Sequence, residues 1–347
     1  MAQVFDQREP AMKLPTPRGP LTTLLFEELA SPPHRFDPPS FSPRGPALYD
    51  EDLQLALFAC YELHYRGFDG VDDAWEWNPS LLALRQDLER IFEEGLRRVV
   101  PLPPSPPSGT PMRHALADLV AATDGGPGLA AFLARKADLE QFREFVVHRS
   151  VYHLKEADPH TWAIPRLHGR AKAALVEIQT DEYGGGRLDR MHSELFRATM
   201  RALDLDDSYG AHLDRVPALT LAIGNTMSLF GLHRRHRGAL LGHLAAFEMT
   251  SSLPNLTYAR GLRRLGGDDA ACRFYDEHVQ ADAAHEQIAA HDMCGGFAAA
   301  EPALAQDVLY GAACGLTLDR LFAEHLMDSW RHGATSLRRA DLMAAGR

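Results

Sequence analysis

From residue 112 onward the chain contains no stretch in which apolar and polar side chains alternate. A half-buried strand needs that period of two, whereas a helix needs apolar residues every three to four positions. What the sequence offers is a series of Ala-, Leu- and Glu/Arg-rich segments broken by Gly or Pro. This predicts helices over residues 112–123, 127–135, 137–157, 163–183, 187–203, 211–232, 235–252, 255–265, 269–293 and 299–331, and an all-α fold class. Residues 101–111 read PLPPSPPSGTP, which cannot be helical and predicts a stiff connector before a main domain over 112–335. Residues 48–100 are expected to be a helical extension, with one helix near 50–64 and a second starting near Pro79. Residues 1–47 are rich in proline and predict an irregular arm. No repeat of fixed period is present.

Composition narrows the function classes. Of the 347 residues, 45% are hydrophobic, ample for a buried core. The formal charge of −11 argues against a nucleic acid or an anionic membrane as the main partner. Cys60, Cys272, Cys294 and Cys314 are widely separated with no CxxC pair, which predicts a reduced, cytoplasmic chain. The N-terminus lacks a basic-then-apolar signal pattern. The most apolar stretch, residues 219–232, carries Asn225, Thr226 and Ser228 and is too short to span a bilayer.

Three segments carry metal-ligand chemistry. His278, Asp282 and His285 stand at i, i+4 and i+7, within roughly 60° of one another on a helix. Imidazoles and a carboxylate on one line suit iron, manganese or zinc. Glu182 and His192 are ten residues apart, about 15 Å on a straight helix and too far for one centre. Gly184, Gly185 and Gly186 lie between them and permit the unwinding that would fold the two side chains together. Glu248 sits in an otherwise apolar helix, where an ionised carboxylate needs a partner, either a metal or one of Arg234, Arg235 and Arg237.

Order and spacing together (Glu, ten residues to His, a lone Glu, then His-x3-Asp-x2-His) resemble the ligand signature of the haem-oxygenase-like di-iron oxidases and oxygenases. The resemblance covers roughly residues 140–295. It implies a haem-oxygenase-like helical bundle, two iron ions (Fe2+/Fe3+), dioxygen as co-substrate, and ligation by Glu182, His192, Glu248, His278, Asp282 and His285. Glu156 lies 26 residues before Glu182, where the N-oxygenating branch of the family carries an extra carboxylate. By that similarity Glu156 would be a seventh ligand with a catalytic role. The six-ligand set supplies three negative charges against the four positive charges of two Fe(II), and Glu156 makes the site formally neutral. The resemblance thus implies a cytoplasmic monooxygenase that N-oxygenates an amine through a peroxo-diferric intermediate. Its expected partners are a small-molecule substrate (an amine or amino acid), an external reductant and, through the extension, a second copy of the chain. Alternative outcomes are C–H abstraction with desaturation or C–C cleavage, a haem-binding protein on the same fold, or a non-catalytic iron protein.

Other polar residues are expected to be structural. Glu62 and His64 are about 200° apart on a helix and read as a packing motif. The run LHRRHR around His233 and His236 reads as a solvated face. His148, His153, His160 and His168 surround the Glu156 segment, and some are expected to support ligand carboxylates.

Overall fold

The protein is described by a computed structural model over residues 12–106, 109–123 and 128–338, except for the side chains of residues 280–284. Every regular element among the described residues is helical. Before the connector lie α1 (Pro20–Leu29), α2 (Glu51–Glu62) and α3 (Pro79–Val99). After it come α4 (Met112–Thr123), α5 (Leu129–Arg135), α6 (Leu139–His153), α7 (Asp158–Thr161), α8 (Gly169–Glu182) and α9 (His192–Ala202). The chain continues through α10 (Ala218–Leu232), α11 (Arg237–Thr250), α12 (Ser252–Arg264), α13 (Asp269–Gln287), α14 (Gly296–Ala300) and α15 (Ala305–Arg331). Among the described residues no helix is long and apolar enough to cross a membrane.

Local chemistry explains most departures from the expected boundaries. The helix expected from residue 163 starts at Gly169, because Pro165 sits in a short 3-10 turn and Gly169 takes a positive φ of 59°. The one expected from 211 starts after Pro217, the residue that precedes the first turn of α10. The helix expected over 269–293 runs as α13 to Gln287 and then widens into a π-helical segment, Ile288–Gly295. Residues 1–47, expected to be irregular, hold α1. Pro20 stands in its first turn, where a missing N–H costs nothing. Asp52 of α2 accepts hydrogen bonds from the Leu21 and Thr22 amides at 2.9 and 2.8 Å, so a neighbouring helix caps α1.

The core centres on α2 and α10, which pack against each other and are buried almost all round. Their polar contacts are satisfied: Asn225 donates to the Gln54 carbonyl and to its side-chain oxygen, both at 2.8 Å, and the Ala218 amide donates to Glu51 at 2.9 Å. The basic run before α11 does not face only solvent. His233 lies 2.9 Å from Glu89, Arg235 pairs with Glu93, and Arg237 pairs with Glu301, so the run ties α11 to α3 and to the segment before α15.

Two glycines bring α11 and α15 into backbone contact. A Cβ on Gly242 would lie 1.8 Å from the Val308 carbonyl oxygen, and one on Gly311 would lie 1.9 Å from that of Ala239. No side chain fits at either point. The crossing fixes the height of α11, and Glu248 follows Gly242 by less than two turns. Gly242→Ala and Gly311→Ala should each force the helices apart and cost about 1–3 kcal/mol, seen as a lowered melting temperature. Unchanged melting in both variants would contradict so close a crossing.

Candidate metal centre

Six of the seven expected ligands are brought together, from five places in the chain. Glu156 lies in the turn after α6, Glu182 ends α8, His192 begins α9, Glu248 lies near the end of α11, and His278 and His285 lie on α13. They form two groups whose donor atoms lie within 4.8 Å of one another: Glu156, Glu182, His192 and His278, and Glu182, Glu248 and His285. Glu182 belongs to both. All six residues are buried, the most exposed by 7%. Asp282 lies on α13 between the two histidines, but its side chain is outside the described residues.

The glycine run between Glu182 and His192 does what its sequence allows. Gly184, Gly185 and Gly186 all have positive φ, at 62°, 63° and 77°, so α8 ends and the chain doubles back to start α9. A Cβ on Gly184 would sit 2.5 Å from the backbone carbon of Arg190, which shows how tightly the loop closes. As a result the Glu182 Oε2 and His192 Nδ1 atoms are 2.8 Å apart.

Supporting contacts point two of the three clustered imidazoles, His278 and His285. His278 Nδ1 lies 2.8 Å from the Phe274 carbonyl oxygen one turn back, which makes Nδ1 the protonated nitrogen and turns the Nε2 lone pair toward Glu156, 3.9 Å away. His285 Nε2 meets Asp181 at 3.0 Å and presents Nδ1 to Glu248 at 3.4 Å. His153 Nδ1 is 3.0 Å from Glu156 Oε2. His148 is bound instead to Thr220 and Ser336, at 2.7 and 3.1 Å, and His168 is exposed. His160 is buried beside His243, with ring centroids 5.7 Å apart. Asp181 was not singled out from sequence: its bond to His285 spans 104 residues and leaves no local pattern.

The electrostatics are those of a site built for cations. Burial disfavours the ionised Glu156, but His153 and His278 outweigh it and hold this carboxyl well below the usual range. Burial also lowers His192 and His285, yet the facing carboxylates reverse this: Glu182 raises His192, and Glu248 with Asp181 pushes His285 up to about 9. Of the arginines that could have neutralised Glu248, Arg235 pairs with Glu93, Arg237 pairs with Glu301, and Arg234 is exposed. Glu182 Oε2, His192 Nδ1 and His285 Nδ1 are buried and make no hydrogen bond of acceptable geometry. Two buried donor atoms 2.8 Å apart and poorly aligned for a hydrogen bond are what a shared cation, in place of a proton, would explain. The donor set therefore fits metal binding, with Glu182 common to both groups.

A cavity of about 1100 Å³ opens on this cluster. Tyr152, Phe247 and Phe274 line it beside Glu156, Glu182, Glu248 and His278, and the Arg149–Asp319 pair, 2.6 Å apart, lies further along the wall.

Comparisons with known proteins agree with this chemistry. Residues 143–320, just over half of the chain, match the family described as iron-containing redox enzymes. Over 142 residues the chain is 27% identical to the nitrosourea synthase of Streptomyces achromogenes subsp. streptozoticus, a match covering 39% of this chain and 29% of that protein. The matched part is thus less than a third of that relative. All six clustered residues lie inside the family match, whereas α1, α2 and α3 lie outside it.

A metal ion must displace the proton that Glu248 and Asp181 hold on His285. Because that imidazole titrates at about 9, it is protonated at neutral pH and free only above. Metal affinity should therefore rise with pH up to about 9, by about tenfold per unit for each proton released. Adding Fe(II) anaerobically to weakly buffered protein with a pH indicator should show the release, and His285→Ala should release less, since only the proton raised on His192 by Glu182 is then displaced. Conversely, the stabilisation that the protonated His285 gives the metal-free protein is complete below its ordinary value and lost as pH rises through about 9.

Proposed function

We propose that this chain, which belongs to the iron-containing redox enzyme family and is an oxidoreductase, is a non-haem di-iron oxygenase that uses dioxygen to oxygenate an amine nitrogen. The observation that carries the reading is Glu156: buried, hydrogen-bonded to His153, and within one cluster with Glu182, His192 and His278. With Asp282 as a further ligand, Glu156, Glu182 and Glu248 would give four carboxylates, matching the charge of two ferrous ions. Two irons, when bound, would supply the reducing electrons and the positions at which dioxygen is activated. The name of the matched relative says that it makes a nitrosourea, a product with an oxidised nitrogen. That supports N-oxygenation over C–H chemistry for this chain.

The chain's own residues have definable parts in this scheme. Glu182 would join the two metal positions. His192 and His278 would hold one ion with Glu156, and His285 and Glu248 the other. His153 donates its Nδ1 proton to Glu156, for burial keeps that imidazole neutral despite the carboxylate. It thereby fixes which Glu156 oxygen is left for a ligand. Tyr152, Phe247 and Phe274 keep the adjoining wall apolar and limit water near the reacting atoms. Arg149 and Asp319 offer one charge of each sign on the same wall, which suits a zwitterion such as an amino acid.

Glu156→Gln tests the reading. The remaining ligands should still hold iron when it is in excess, so dioxygen consumption should persist in part. N-oxygenated product, followed by mass with labelled dioxygen and candidate amines, should fall far more than dioxygen uptake. A variant that keeps its product yield would remove Glu156 from the chemistry and leave a di-iron oxidase of another outcome.

A further inference from the structure

The turn that carries Glu156 is gripped from behind by a part of the chain outside the family match. Lys155, next to Glu156, is buried, and its Nζ lies 3.2 Å from Glu62 Oε2 at the end of α2, also buried. The rings of Tyr65 and Phe58 enclose the ammonium at 4.5 and 5.1 Å. Tyr209 donates its hydroxyl to Glu62, with both carboxylate oxygens at 2.8 Å, and the Arg66 guanidinium lies 4.3 Å over the Tyr209 ring. Arg66 also donates to the Leu154 carbonyl at 3.3 Å. Leu154 and Lys155 are thus tied outward to residues 62–66, while Glu156 faces the metal cluster.

Stability alone is a poor reason for this arrangement. Removing an ammonium and a carboxylate from water costs several kcal/mol per ion, and their attraction roughly repays it, so apolar replacements are often no less stable. What a buried ion pair supplies that an apolar contact does not is direction. A Leu–Met contact would tolerate rotation of the turn; a Lys155 ammonium with a single facing carboxylate does not.

We propose that Glu62 and Lys155 are positioning residues for Glu156, their ion pair setting the rotation of the turn that presents the Glu156 carboxylate to the metal site. The proposal rests on the reading of Glu156 as a ligand. It gives α2 a part in building the site, although α2 lies outside the matched segment.

The experiment uses the full chain, metal-free, and Fe(II) affinity measured anaerobically by competition with a chromophoric chelator. Glu62→Gln combined with Lys155→Met removes both charges and leaves Tyr209 an acceptor. This double variant should melt like the parent without metal, yet bind the iron that Glu156 helps to hold about 10- to 100-fold less tightly. In a Glu156→Gln background the same double replacement should cause no further loss of affinity. An affinity equal to the parent's, or a loss that adds in full to that of Glu156→Gln, overturns the proposal, since a merely structural pair would act independently of Glu156. Should Glu156→Gln alone leave the affinity unchanged, the ligand reading fails, and that result is distinct from failure of the positioning role. If the double variant does not fold, Arg66→Met on the exposed side of the same cluster replaces it. It should weaken the same iron only when Glu156 is present, and an unaltered affinity there also counts against the proposal.

Discussion

Three carboxylates, Glu156, Glu182 and Glu248, are buried within one small volume with three imidazoles, and no Lys or Arg among the described residues that flank them in sequence is turned toward them. An uncompensated ion in such a place costs several kcal/mol, so the cluster opposes folding unless positive charge arrives. Protons supply it in the metal-free protein, which is why His192 and His285 titrate above their usual value while Glu156 stays ionised. Metal binding replaces protons by ions of higher charge. Folding, metal binding and pH are therefore linked through the same six side chains.

The surrounding backbone is irregular where this cluster requires it. Glu182 and His192 meet only because three consecutive glycines in the left-handed region end α8 and return the chain. Glu156 comes from a turn, not from a helix face. Just beyond His285 the helix widens into the π-helical segment, which packs against α8 and α11, the helices bearing Glu182 and Glu248. Regular helices would present ligands only along one stripe each. By breaking α8 and displacing the end of α13, the chain converges donors from five elements.

How much of this the sequence exposes follows from the range of each interaction. The His278–His285 face is readable because helical periodicity is local, and the Glu182–His192 meeting because three glycines are a local signal. Glu248 stands out as a charge in an apolar helix, although its competing partners, Arg235 and Arg237, could be set aside only once their pairing with Glu93 and Glu301 was seen. Glu156 is ordinary by composition, and only the family resemblance marks it. Least readable are the contacts that hold the ligands: Asp181 to His285 spans 104 residues and Glu62 to Lys155 spans 93. A single chain carries no periodic trace of such pairs. The helix α1 was hidden for a different reason, since the prolines of residues 1–47 read as an irregular arm while its cap is supplied by Asp52, about thirty residues away.

The two groups of donors are not equivalent, and the difference bears on function. The first draws two carboxylates and two imidazoles from the described residues and has both of its supporting contacts, Phe274 to His278 and His153 to Glu156, in buried surroundings. The second draws two carboxylates and one imidazole, and His285 is supported by Asp181, whose side chain is 61% exposed. Its histidine also holds a proton more firmly. The first group is therefore the more enclosed of the two, although both share Glu182. The cavity runs past Glu156 and His278 of the first group and reaches Glu248 of the second, so a substrate lying in it would meet both positions from one side.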